Sequence, residues 1–148
     1  GSILNKSAKP SLEEAPNDHE IRTVSRDLRT RRGQNKLREN LFYLYNERCC
    51  ITKTNVKEIL HACHITPHSI SGYNNTANAL LLRSDIHDLF DSDLIGINPH
   101  NLKVVTSGVL RKSEYSKFNG VSLSRRIDGK SPDIDALKQR WDNFRSTY

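Results

Sequence analysis

Methionine is absent from all 148 residues, and the chain opens on Gly1-Ser2, a pair that reads as a tag remnant. The natural start is therefore expected elsewhere, and the chain is expected to be part of a longer polypeptide. Cysteine is scarce. Cys49, Cys50 and Cys63 are an odd number, which argues against a disulfide framework and for a reducing, cytoplasmic setting. Two of them are adjacent and no Cys-x-x-Cys pair exists, so no structural zinc is expected. No apolar run reaches membrane-spanning length, and none has the shape of a signal peptide. Hydrophobic residues make up only 35% of the chain, which leaves a modest core and fits one domain.

Basic charge is present in excess, and it is local. The net charge is +6. Between residues 21 and 38, Arg22, Arg26, Arg29, Arg31, Arg32, Lys36 and Arg38 stand against the single acid Asp27, so this stretch carries the whole excess. Such a run is either a solvated helix face or a binder of phosphate backbone, and the second reading predicts salt-sensitive contact largely independent of base sequence. Gly33 is expected to break the basic element ahead of a helix over about 34–46, with Leu37, Leu41, Leu44 and Tyr45 as its core face. A second cluster, Arg111-Lys112 with Arg125-Arg126 and Lys130, is a candidate for the other side of a duplex. Residues 4–20 carry Pro10, Pro16 and scattered charges without an apolar period and read as linker or arm.

The densest chemistry lies between His61 and Asp91, HACHITPHSISGYNNTANALLLRSDIHDLFD. Residues 58–65 have the apolar content of a short strand cut by Pro67, which places His64 near its end. After a Ser-, Gly- and Asn-rich loop at 69–75, Ala79-Leu-Leu-Leu82 reads as buried, and Ser84 or Asp85 is expected to cap a short helix reaching Phe90 or beyond. On that helix His87 and Asp91 are four residues apart and share a face, while Ile86, Leu89 and Phe90 read as core. An imidazole and a carboxylate so placed suit Mg, Mn, Ni or Zn better than Ca. A further histidine outside the ligand set, with an ordinary pKa of about 6.5, has the basicity to take a proton from water in phosphodiester hydrolysis. Taken alone, a His on an apolar strand is more often structural, and Asn78 and Asp91 read equally well as turn residues. Their joint spacing favours a site.

These residues resemble the HNH endonuclease family. The resemblance rests on Cys50-Ile-Thr52, then Ala62-Cys-His-Ile65-x-Pro67, then Asn78-Ala-Leu-Leu-Leu82, then Asp85-Ile-His-Asp-Leu-Phe-Asp91, in order and at fitting gaps. Arg32-Gly-Gln-x-x-Leu-Arg38 upstream, and Leu110-Arg-Lys-Ser113 with Trp141-x-x-Phe144 downstream, extend it over roughly residues 29–145. The resemblance implies a ββα-metal finger in which His64 is the general base, Asn78 braces the loop and orients His64, and His87 and Asp91 face one divalent metal ion. Many family members carry Asp or His just before the base as a further ligand; here that position is Cys63. Either Cys63 is a small buried side chain, or it ligates and favours Zn. His61 and His68 flank the site and read as polar neighbours rather than as contacts to metal or phosphate, and Arg83 is a candidate to steady the phosphate.

Further on, Leu94-Ile-Gly-Ile97, a turn at Asn98-Pro99-His100-Asn101 and Leu102-Lys-Val-Val-Thr106 give a hairpin signal. Ser131-Pro132-Asp133 opens a helix with Ile134, Leu137, Trp141 and Phe144 on its packing face. The expected fold class is α+β. Residues 21–148 form one HNH domain: a basic N-terminal helical region, the ββα-metal core at about 48–92, an additional β-hairpin and a C-terminal helix. The expected function is metal-dependent cleavage of DNA, with Arg31, Arg32, Lys36, Arg38 and Arg83 at the nucleic acid and no membrane partner. A homodimer is a hypothesis, because a double-strand cut by a one-metal site usually needs two sites. The rivals are a non-catalytic nucleic-acid-binding or assembly module of a larger protein, and an RNA-cleaving nuclease with the same finger.

Overall fold

A computed structural model describes residues 18–67 and 75–147. Most of the expected arm, His68 and the 69–74 loop lie outside the described residues.

The first element is one helix, α1 (Asp18–Leu44), so the expected break at Gly33 does not occur. A glycine inside a helix costs only about 1 kcal/mol relative to alanine. That is too little to stop a stretch rich in Leu, Arg, Lys, Glu and Gln whose far end is buried. The last turns and the residue after them bury Leu37, Leu41, Phe42, Leu44 and Tyr45, which include all four positions expected on the core face.

The chain then folds tightly through residues 46–53, with Asn46, Glu47 and Lys53 at positive φ. Strand β1 (Leu60–His64) pairs antiparallel with β2 (Ala79–Arg83), Leu60 opposite Arg83 and His64 opposite Ala79. Cys50 N donates to Leu81 O at 2.9 Å, which docks the tight loop on β2. Four consecutive residues of β2, Ala79 to Leu82, are fully buried. A continuous apolar run is what a strand covered on both faces requires.

Helix α2 (Ser84–Asp91) succeeds β2 without a gap. Its N-cap is Arg83 and no side chain caps it, which corrects the expectation for Ser84 or Asp85. The Asp85 carboxylate is engaged elsewhere: it accepts from Arg83 Nε at 2.7 Å and Nη2 at 2.9 Å, and from the Tyr115 hydroxyl at 2.8 Å. The Arg83 hydrogen bonds, and then that of Tyr115, hold Asp85 below the ordinary carboxylate value against some desolvation.

A second antiparallel hairpin, β3 (Ile95–Ile97) and β4 (Val104–Thr106), and helix α3 (Ile134–Thr147) complete the α+β domain. Asp133 Oδ1 caps α3, accepting from Asp135 N at 2.9 Å and Ala136 N at 3.2 Å. Its packing face uses Ala136, Leu137 and Phe144, whereas Ile134 is 42% exposed. Ile134 is the first residue of the helix, and the core begins a turn later. Trp141 is half-buried and stacks on Phe144 with ring centroids 5.6 Å apart.

Phe144 sits so close to the β3 backbone that a Cβ on Gly96 would lie 2.6 Å from its ring. Gly96→Ala is therefore expected to destabilise the domain by about 1–3 kcal/mol through overpacking. Denaturant unfolding checks this, and a midpoint equal to wild type would show that the ring can move aside.

Three residues of the C-terminal part, Arg126, Asp133 and Arg140, are among those that stitch it to the finger, with four hydrogen bonds. Arg126, only 7% exposed, pairs with Asp128 at 2.8 Å and donates to Thr76 O at 3.4 Å. Asp133 N donates to Ala77 O at 2.7 Å. The other two come from Arg140, which donates to Ile65 O and Phe90 O. Arg126 thus belongs to the interior, which corrects its place in the second basic cluster; Arg111, Lys112, Arg125 and Lys130 are exposed.

Candidate active site

The finger delivers its polar groups to one cleft because β1 ends, and α2 ends, on the same side of the core. A cleft of about 520 Å³ is lined by His64, Pro67, His87, Asp91, Asp93 and Arg140, among others. Three of the sequence-selected residues meet there. His64 is the last residue of β1, half-buried, and the anchoring of Ile65 and Thr66 sets its position.

Asn78, 1% exposed, supplies that anchor. Its Oδ1 accepts from Thr66 N at 3.0 Å and Thr66 Oγ1 at 2.9 Å, and its Nδ2 donates to Thr66 O at 2.9 Å. Ile65 N also donates to Asn78 O at 2.9 Å. The amide thereby occupies both the donor and the acceptor of a backbone unit two residues beyond His64. Asn78 is itself held in a 3-10 turn (Thr76–Asn78) capped by the side chain of Asn75, which accepts from Ala77 N.

On α2, His87 Nε2 lies 3.1 Å from Asp91 Oδ2 across one turn. With Cys63 these residues form a possible metal-binding set: one donor atom from each lies within 4.8 Å of the other two. A sulfur, a nitrogen and an oxygen that close together fit a single divalent cation. Cys63 is fully buried. Burial pushes its thiol well above the ordinary value, and Asp91 adds to this while Arg140 opposes it. Ligation by Cys63 would therefore have to release a proton near neutral pH, which weakens metal uptake as pH falls.

Two residues take a part in the site that the sequence did not show: His61, expected only as a flanking polar neighbour, and Arg140. His61 Nδ1 stands 2.9 Å from His87 Nδ1, the two rings nearly perpendicular at 85°. Desolvation, and then the neighbouring His87, hold His61 below the ordinary imidazole value. Arg140, from α3, donates Nη1 to Ile65 O at 3.1 Å and Nη2 to Phe90 O at 2.7 Å, with its guanidinium 4.3 Å from the Phe90 ring centroid. It thus bridges the residue after His64 and the residue before Asp91. Asp91 and Asp93 lie 4.0 and 3.6 Å from it.

The basic residues divide into two groups. Arg31, Arg32 and Lys36 are exposed on α1. Arg38 donates to Leu60 O at 3.1 Å and Lys57 O at 2.8 Å and covers the Phe42 ring. Arg83 is paired with Asp85, donates to Thr54 Oγ1 at 3.2 Å and does not line the cleft. Part of each guanidinium is thus engaged within the fold. All three cysteines are free and buried. Among the described residues no helix is long and apolar enough to cross a membrane.

Known proteins share parts of this architecture. Residues 49–98 match the family model for HNH endonuclease. Among solved structures the chain is similar to a modification-dependent TagI restriction endonuclease, with a TM-score of 0.53 and 20% identity over 71% of this chain. The match spans 36% of that structure's length, and at this identity it establishes the fold alone. No curated protein matches the chain.

Proposed function

We propose that this chain, whose residues 49–98 match the family model for HNH endonuclease, is a metal-dependent endonuclease that hydrolyses phosphodiester bonds of duplex DNA. The observation that supports this most is the convergence of His64, His87 and Asp91 on one cleft. His64 takes the proton of the attacking water. Asn78 keeps the end of β1 in place, so that the imidazole meets the substrate in a fixed pose. His87 and Asp91 hold one divalent cation, with Cys63 as the third donor atom. When bound, that ion supplies stabilisation of the charge developing on the phosphate and the leaving 3′ oxygen. A restriction role in the cytoplasm is consistent with the likeness to a restriction endonuclease and with three free, buried thiols.

The experiment is plasmid cleavage by metal-stripped protein, with Mg, Mn, Ni or Zn added back. Nicking or linearisation that returns with a metal supports the reading; intact plasmid with every metal overturns it. Single-stranded RNA as a parallel substrate separates a DNA nuclease from an RNA nuclease. A second reading, a finger that binds nucleic acid without cutting it, is favoured by the burial of Cys63, which raises its thiol above the ordinary value, and binding without cleavage would support it. A homodimer on DNA is tested by light scattering of the complex.

Arg31, Arg32 and Lys36 are proposed to contact phosphates. Replacing Arg31 and Arg32 together by Ala is expected to reduce the slope of log K against log salt by about 2 for duplex DNA. An unchanged slope would remove α1 from the interface.

A further inference from the structure

We infer that His61 is a positioning residue for His87, holding its ring so that Nε2, and not Nδ1, is presented to the cation. This rests on the reading of His87 as a metal ligand. The two Nδ1 atoms are 2.9 Å apart, a hydrogen-bond distance. A hydrogen bond at this distance needs one hydrogen between the two atoms, and whichever ring donates it, Nδ1 of His87 is occupied. The other nitrogen, Nε2, is the one 3.1 Å from Asp91 Oδ2, on the side of the possible metal-binding set.

Once Nε2 is given to a cation, the one ring proton left on a neutral His87 sits on Nδ1, and Nδ1 of His61 is the acceptor in reach. Metal-binding histidines commonly donate their second N–H to a carboxylate, a carbonyl or water, which fixes tautomer and ring orientation. Here an imidazole from the adjoining strand takes that place. The perpendicular stacking of the rings, with centroids 5.2 Å apart, adds a steric limit to rotation about the His87 side chain. His61 is on β1, two residues before Cys63, so the strand that carries the possible sulfur donor also aims the nitrogen donor on α2.

Isothermal titration of the metal-stripped protein with Zn or Mn tests this without any assay of cleavage. His61→Ala is expected to weaken uptake by about 10–100-fold, the range usual for loss of such a partner. His61→Asn places an amide oxygen where Nδ1 stood and is expected to recover most of the affinity. His61 is exposed, so neither variant removes core packing. Wild-type affinity in His61→Ala overturns the inference. Loss in both variants also overturns it, since that is the pattern of a residue that ligates the metal directly. A wild-type protein that takes up neither metal overturns the underlying reading of His87, and this inference with it.

Discussion

His64→Ala is expected to slow plasmid cleavage by about 10²–10⁴-fold, the usual contribution of a positioned general base. At about 1.4 kcal/mol per tenfold, this corresponds to roughly 3–5 kcal/mol of transition-state stabilisation. The reason is geometric. His64 ends β1 opposite Ala79, at the wall of the cleft, and the unit after it is held by three hydrogen bonds to the Asn78 side chain and one to its carbonyl. The imidazole is thereby placed beside, and not among, the residues proposed to hold the metal. The variant should still take up metal as wild type does, because His64 is not in the metal-binding set. Rates within tenfold of wild type, at equal metal occupancy, would take the role of base away from His64.

Arg140→Ala is expected to have the next largest effect, reducing stability by about 2–4 kcal/mol. Hydrogen bonds from a charged donor contribute roughly 1.5–3 kcal/mol each, and the contact with the Phe90 ring adds about 1 kcal/mol or less. These terms overlap, because one guanidinium makes all of them. Removing it leaves Ile65 O and Phe90 O without their donor. Cleavage should fall as well, by about 10-fold or more, because the bridge fixes the spacing between the strand end bearing His64 and the helix end bearing Asp91. A shift of about 1 Å between such groups is enough to cost 10²-fold. Arg140→Lys keeps the charge but lacks the planar fork that spans two carbonyls, so it should recover only part of the loss. Denaturant unfolding and cleavage rates on the same variants check both halves; wild-type values in Arg140→Ala would mean that the core alone sets the spacing.

The finger was readable in the chain because its chemistry is local. His87 and Asp91 face the same way by helical geometry alone, and a run such as Ala79 to Leu82 announces burial without any tertiary knowledge. The core face of α1 at Leu37, Leu41, Leu44 and Tyr45 comes from the same kind of periodicity. The features that escaped reading were decided at a distance. Arg140 lies 75 residues from Ile65, and nothing in its neighbourhood marks it apart from any other charged helix residue. Arg126 looked like surface charge because its partners, Asp128 and Thr76, surround it only after folding. His61 and His87 are 26 residues apart, and their meeting depends on the β1–β2 register and the angle of α2. Gly33 misled in the opposite sense, since a local breaker is overruled when the rest of the helix favours continuing.

Arg126, Asp133 and Arg140 tie the finger to the rest of the domain with four hydrogen bonds. All three donors come after residue 98, while the groups they hold, at Ile65, Thr76, Ala77 and Phe90, lie within residues 49–98. The motif therefore carries the proposed reacting groups, and a separate stretch of chain helps set how far apart they stand. A cassette cut at residue 98 and grafted onto another scaffold would carry every proposed ligand and the proposed base, yet take its cleft width from the new host. Divergence in the C-terminal frame can thus retune the spacing of the site while its signature residues stay unchanged.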